Sequence, residues 1–427
     1  MIIFFPRMEN KASPGSTAVN TPRINSHKIA PTEFLFIVGG NVNHSLNFLG
    51  VVAETQPTLL GYTTFPHVPS YPLPPLAKSI VELAFESPIT EIIKLEAIHA
   101  VNRHLVAEEP IGGKYFVFTV HPKSVVEDTL NDSSIFFCYC FDTFEILPLP
   151  PPWDGYAGVV PTVYCLVTRS NAFEDCKSVL NEIANQRKIY MKKFWAGKFG
   201  NRYTFRSELQ FDLISSNDQL INSIVPTLVS AAPAPVILGL IAAAITDKRI
   251  IISSRSRARR ATFVLGLYVL MELVCGVKYP HPCLGIVPSS IASELVHAPT
   301  PLIAAVNRFE RKRNKNPDCV FLNLDKISEH TDLVRLGSEV FPGTSETLQP
   351  TSTEEIISQI SNRIIDAISL FESTVLRLTK ECIDFPSALS VVTAQNSSQL
   401  ILLFNSSSLQ LYLSEKGGSA VWLNHSI

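Results

Sequence analysis

The chain has 427 residues, 46% hydrophobic and only 17% charged, with a formal net charge of −2 at pH 7. That length suffices for about two or three domains around a large core. The near-neutral balance excludes a global electrostatic pull toward nucleic acid or an acidic partner.

The chain opens MIIFFPRMENK, an apolar run too short for a secretory signal and closed at once by proline and charge. The eight cysteines, none in a C-x-x-C pair, then read as reduced thiols. Residues 1–32 are polar and aperiodic, a disordered lead-in. EFLFIVGG (33–40) is the first strand. The six prolines of 56–75 predict an extended loop there, since proline is excluded from helix interiors and central strands. Aromatic and β-branched runs at 112–122, 133–148 and 161–170 predict further strands. Cys138 and Cys140 share a face of the second of these and read as packed core thiols. Phe173, Cys176, Leu180 and Ile183 then keep helical spacing. The basic, aromatic stretch that follows reads as a linker. Its Gly197-Lys198 is no phosphate loop, because Phe199 stands where Ser or Thr is required.

No charge occurs between Asp218 and Asp247. NDQLINSIVPTLV predicts a helix, and PVILGLIAAAIT a second one of twelve residues. At about 1.5 Å per residue the latter reaches roughly 18 Å, against a bilayer core of about 30 Å. Asp247-Lys248-Arg249 then reads as a turn, and Ile250–Ile252 as a buried strand. Residues 261–277 form a second apolar stretch, interrupted by Glu272. Prolines at 280, 282, 288, 299 and 301 frame a strand (CLGIV), a short helix (SSIASELV) capped by Ser289 or Ser290, and another strand (LIAAV). ERKRNKN (310–316) is a charged loop, CVFLNLDK (319–326) a strand, and 327–350 a polar, disorder-like passage. Thr351 and Glu354 suggest a capping box for a helix carrying Ile356, Ile360, Ile364, Ile368, Phe371, Val375 and Leu378 on one stripe. Residues 399–416 predict a last helix.

Signatures of covalent chemistry are absent: no G-x-x-x-x-G-K-[ST], no H-E-x-x-H, no G-x-S-x-G. His281 and His297 sit beside proline clusters, as surface contacts or as structural hydrogen-bonding groups. The basic runs Arg255, Arg257, Arg259, Arg260 and Arg308, Arg311, Lys312, Arg313 are either solvated surface or a face for acidic lipid headgroups or an acidic protein. Aromatic residues are not interleaved with them, which disfavours nucleic acid.

The run DKRIIISSRS, about twenty apolar residues, then YPHPCLGIVPSSIASELVHAPTPLIAAV, resembles the central part of the DENN-domain family. Pro280, His281, Pro282, Pro288, Ala298, Pro299, Thr300 and Pro301 match its pattern. KYFVFTVHP, SIFFCYCF and TVYCLVTRSNAFEDCKSVLNEI look like that family's upstream lobe, and CVFLNLDK and SSLQLYLSEK like its downstream part. The resemblance implies an α/β protein of two lobes, an N-terminal longin-like α/β module and a C-terminal DENN α/β module with trailing helices. The expected division is a lead-in at 1–32, an upstream lobe at 33–190, a linker at 191–212, a central DENN module at 213–308 and a divergent downstream part at 309–427.

By the same resemblance the implied activity is guanine-nucleotide exchange on a Rab-type small GTPase in vesicle trafficking. In that family two lobes embrace the GTPase switch regions and loosen nucleotide, with no cofactor, metal or covalent step. The implied partner-binding residues are Tyr279, Pro280, His281, Pro282, Pro288, Pro299, Thr300 and Pro301. The implied location is cytoplasmic, peripheral on endomembranes, with contact to an acidic membrane surface, no transmembrane span and no nucleic acid. Two other readings stay open at the level of sequence: a DENN-like scaffold or heterodimer subunit without exchange activity, and an integral membrane protein using 233–277.

Overall fold

The computed structural model describes residues 33–40, 47–49, 52–54, 57–65, 72–74, 76–84, 89–94, 115–120, 136–148, 156–195, 216–287, 291–307, 316, 318–327, 330–342, 352–381, 385–395, 397–406 and 409–410. The architecture is mixed α/β and divides into two compact units. One comprises Met1–Lys114, Ser124–Arg169 and Asp175–Leu213, the other Tyr115–Lys123, Ser170–Glu174 and Ile214–Ile427. The expected lead-in at 1–32 lies outside the described residues.

In chain order the first elements are β1 (Glu33–Gly40), β2 (Asn47–Leu49), β3 (Val52–Glu54), β4 (Pro57–Phe65), α1 (Leu76–Ala84) and β5 (Ile89–Lys94). Then come β6 (Tyr115–Val120), which belongs to the second unit, β7 (Phe136–Pro148), β8 (Tyr156–Thr168) and α2 (Phe173–Trp195). The first unit is built on an antiparallel sheet ordered β2-β3-β5-β8-β1-β4. β7 pairs along the whole of β8, from Phe137↔Thr168 to Pro148↔Ala157. The other edge of β8 is shared, β5 taking 156–159 and β1 taking 162–167. Pro161 falls at the changeover between them, where a missing N–H breaks no ladder bond.

The loop expected over 56–75 is corrected in its first half. Residues 57–65 form β4, an edge strand paired to β1. Pro57 opens it and Pro66 follows it, so the prolines bound a strand instead of interrupting one.

On α2, Phe173, Cys176, Leu180, Ile183 and Met191 are buried, as the spacing predicts, and the helix runs on to Trp195. Glu145 on β7 is 3% exposed. Both its oxygens accept from Arg187 of α2, Nε to Oε1 and Nη2 to Oε2 at 2.7 Å each, and Tyr164 of β8 donates to Oε1 at 2.7 Å. A buried carboxylate is tolerated because a bidentate guanidinium and a phenol hydroxyl donate to it, both oxygens being engaged.

The second unit continues with α3 (Asn217–Ala231), α4 (Ala234–Ile245), β9 (Arg249–Ser253), α5 (Arg257–Val269), a π turn at Leu270–Val274 and β10 (Cys283–Leu284). After a 3-10 turn at Leu295–His297 follow β11 (Ile303–Val306), β12 (Cys319–Asn323) and α6 (Thr331–Val340). The described chain closes with α7 (Thr353–Glu381), α8 (Phe385–Ala394) and α9 (Ser398–Phe404). The sheet of this unit is parallel throughout, ordered β10-β11-β9-β12. Central β9 buries Ile250, Ile251 and Ile252, the continuous apolar run of a strand covered on both faces.

Ser216 caps α3 through Gln219 N–H, and Pro233 precedes α4, whose first turn holds Pro235. Every α4 residue except Pro235 is buried. The helix packs on β9, α6 and α7, which explains the charge-free stretch without a bilayer. Among the described residues no single helix is long and apolar enough to cross a membrane. The pair α3 and α4 passes that test together, bent by 109°.

Four other expectations change. The polar passage 327–350 contains α6, with Leu333, Gly337 and Val340 buried on one face. The helix expected after Pro288 is only turns and the 3-10 segment at 295–297, while Pro288, Ser289 and Ser290 lie outside the described residues. The cap of α7 is Ser352, whose hydroxyl accepts from Glu355 N–H at 3.2 Å, in place of Thr351. The last helix stops at Phe404: Ser397 caps α9, and buried Ser406 accepts from Leu409 N–H to begin a new turn. The α7 stripe is buried from Ile360 to Leu378.

A candidate docking rim on the parallel sheet

Because β9 to β12 run parallel, the residues leading into each strand gather at one edge of the sheet. Three backbone bonds fix them side by side: Ile303 N–H to Pro282 O (2.9 Å), Ile250 N–H to Leu302 O (2.8 Å) and Arg249 N–H to Asp318 O (2.9 Å). The two proline clusters, far apart in sequence, thus become neighbours on one rim.

Side chains lock the rim laterally. His281 Nε2 lies 3.3 Å from Asp247 Oδ1. This contact joins the approach of β10 to that of β9 across the intervening β11. Arg249 Nη1 donates to Ala298 O at 2.6 Å, and Nη2 lies 3.8 Å from the Asp318 carboxylate. Tyr279 meets the His281 ring edge-on at 5.3 Å, and its backbone N–H donates to Glu272 Oε1 at 3.1 Å. Burial pushes the Tyr279 phenol up, with the Cys283 thiol and the Asp247 carboxylate adding to it.

Of the expected partner-binding residues, Pro280, Pro282, Pro299 and Thr300 are exposed, Pro301 and His281 are half-buried, and Tyr279 is buried. Tyr279 therefore supports the His281 ring and offers little surface of its own. Pro288 lies outside the described residues. The exposed prolines have a fixed φ and no N–H to satisfy. Such a surface loses little conformational freedom on docking.

Two rim residues were not singled out by sequence reasoning. Asp247 adopts φ +55° just past the C-terminus of α4, a left-handed position that favours glycine by about 1 kcal/mol or more. A carboxylate kept there holds His281. Arg249 ties the turn before β11 to β9. A charged residue in a helix-to-strand turn where glycine is expected was the only signal for Asp247.

At the opposite end of the sheet the arginine run is neither simple solvated surface nor a free basic face. Arg260 is 1% exposed and donates from Nη1 to Ser254 O at 2.9 Å. Arg257 stacks on Phe116 of β6 at 4.8 Å, and Arg259 reaches Asp325 and Ala231 O. Asp325 also accepts from Ser254 Oγ and Arg255 N–H, both at 2.9 Å. These groups fasten the β9–α5 junction. Arg308, Arg311, Lys312 and Arg313 lie outside the described residues.

Residues 227–327 match the DENN (AEX-3) domain family, so a DENN domain region is present in the chain. It runs from the last turns of α3 to just past β12 and contains the whole rim. A search of curated proteins finds no match.

Proposed function

We propose that this chain is a guanine-nucleotide exchange factor for a Rab-type small GTPase, and that the proline-framed rim is part of its docking surface. The observation that carries this reading is the DENN domain region at 227–327, with the exposed, pre-organised rim inside it. The antiparallel sheet and following helix of the first unit support reading that unit as the longin-like lobe. The factor acts in the cytoplasm at endomembranes, where a lipid-anchored GTPase works.

Exchange of this kind requires no nucleophile or proton transfer. The factor binds the nucleotide-free GTPase more tightly than its GDP form and so drains population toward release. A protein with equal affinity for both forms shifts nothing, however tightly it binds. The test is therefore binding of this chain to one Rab-type GTPase in each state. The nucleotide-free form is expected to bind at least about tenfold tighter, a difference of about 1.4 kcal/mol. Pro282→Arg with Thr300→Arg should abolish binding. Thermal stability should hold within about 0.5 kcal/mol, since both side chains are exposed. Equal affinity for the two states would make the chain a scaffold. Unchanged binding by the double variant would remove the rim from the interface.

A further inference from the structure

Three thiols meet inside the first unit, and nothing in the proposed docking uses them. Cys138 and Cys140 stand two apart on β7, and Cys140 lies directly opposite Cys165 of β8 in an antiparallel register. All three are fully buried. Cys140 Sγ is 3.0 Å from Cys165 Sγ, and Cys138 also donates to Cys165. Tyr139, between the two β7 cysteines, points to the other face, where its neighbour is Cys176.

We propose that Cys140 and Cys165 are an oxidation site that closes reversibly into a cross-strand disulfide. Opposed residues of antiparallel strands have Cα atoms about 4.5–5.5 Å apart, inside the range of about 4.4–6.8 Å that a disulfide spans. The two opposed positions therefore already lie within the span a disulfide needs. Cys138 lies on the same face but diagonally, and serves as a hydrogen-bond donor. Burial pushes the Cys165 thiol up, but donation from Cys138 and Cys140 to its sulfur outweighs this and draws it down to about 6. Cys165, the acceptor of the Cys140 thiol, is the sulfur poised to react first. The burial selects a small oxidant, and hydrogen peroxide is the class that fits. The Cys165 thiolate attacks peroxide, giving a sulfenic acid and hydroxide. The Cys140 thiol then displaces water from that sulfenic acid, and its proton leaves with the water. Two thiols and one peroxide become one disulfide and two waters.

The test uses the full-length native chain, treated with hydrogen peroxide, then alkylated under denaturing conditions and digested. A peptide pair joined through Cys140 and Cys165 is expected, lost on reduction and lost in Cys165→Ala, and retained in Cys138→Ala. The oxidised wild type should also melt at a higher temperature than the reduced protein, with dithiothreitol reversing the gain. Cys→Ala in a core leaves a cavity, so the wild-type digest decides alone. Complete alkylation of Cys140 and Cys165 after peroxide, or a link through Cys138 in their place, would overturn the proposal. Exchange activity plays no part in this readout, so failure of the docking proposal leaves it intact.

Discussion

Gly239→Ala is expected to destabilise the second unit by about 2 kcal/mol, even though alanine favours a helix interior over glycine by about 1 kcal/mol. A Cβ at Gly239 would lie 2.1 Å from Leu333 O and 2.6 Å from Leu333 C, both backbone atoms of α6. On the facing helix a Cβ at Gly337 would lie 2.9 Å from Gly239 N. The helices touch backbone to backbone, and neither can yield by turning a side chain. Pushing them apart costs about 3 kcal/mol or more, which outweighs the gain in propensity. The melting temperature of a unit this size should fall by about 4–8 °C. Gly276→Ala is the control: its φ is +70° with nothing within 4 Å of an added Cβ, so only strain of about 1–2 kcal/mol remains. Because α4 leads directly to Asp247, Gly239→Ala should also weaken partner binding through the rim.

Removing Arg187 should cost more. Arg187→Ala strips two of the three donors from a carboxylate that is 3% exposed. Only Tyr164 remains on Glu145. Breaking a buried pair from one side costs about 3–5 kcal/mol, because the surviving charge is left buried without its counter-charge. Denaturation of Arg187→Ala should show this loss. Arg187→Met combined with Glu145→Leu should recover most of it, since neutral packed side chains of similar volume are often no worse than the pair. If the single variant lost under about 1 kcal/mol, the network would be carrying little of the contact between α2 and the sheet.

What sequence conveyed best were features carried by period and by proline. The apolar block 234–245, its charged turn and Ile250–Ile252 read correctly as buried helix, turn and strand, because the apolar run is one short helix long and ends at charges. The two proline clusters were legible as the frame of one strand–helix–strand segment, and family resemblance matched their pattern. Their adjacency comes from parallel pairing of strands twenty residues apart, which no local pattern records.

The failures are equally physical. Helix α6 was hidden by Gly337, which reads as a helix breaker but is there to let α4 approach. Prolines over 56–75 masked β4, because composition counts prolines without showing that Thr58–Phe65 is free of them. Ser406 fell inside the helix expected over 399–416, whereas it starts a new turn as a cap. The arginine run resembled a surface patch, since neither the folding of Arg260 onto Ser254 O nor the pairing of Arg259 with distant Asp325 is visible in the run itself. Asp247 was legible only as part of a charged turn, because the value of its carboxylate lies in His281, thirty-four positions away.

Release of fluorescent GDP from a panel of purified Rab-type GTPases reads the proposed exchange itself. Faster release from one or a few members is expected with this chain present, and loss of that acceleration in the Pro282→Arg, Thr300→Arg variant. No acceleration from any member, by protein shown to be folded, would contradict it.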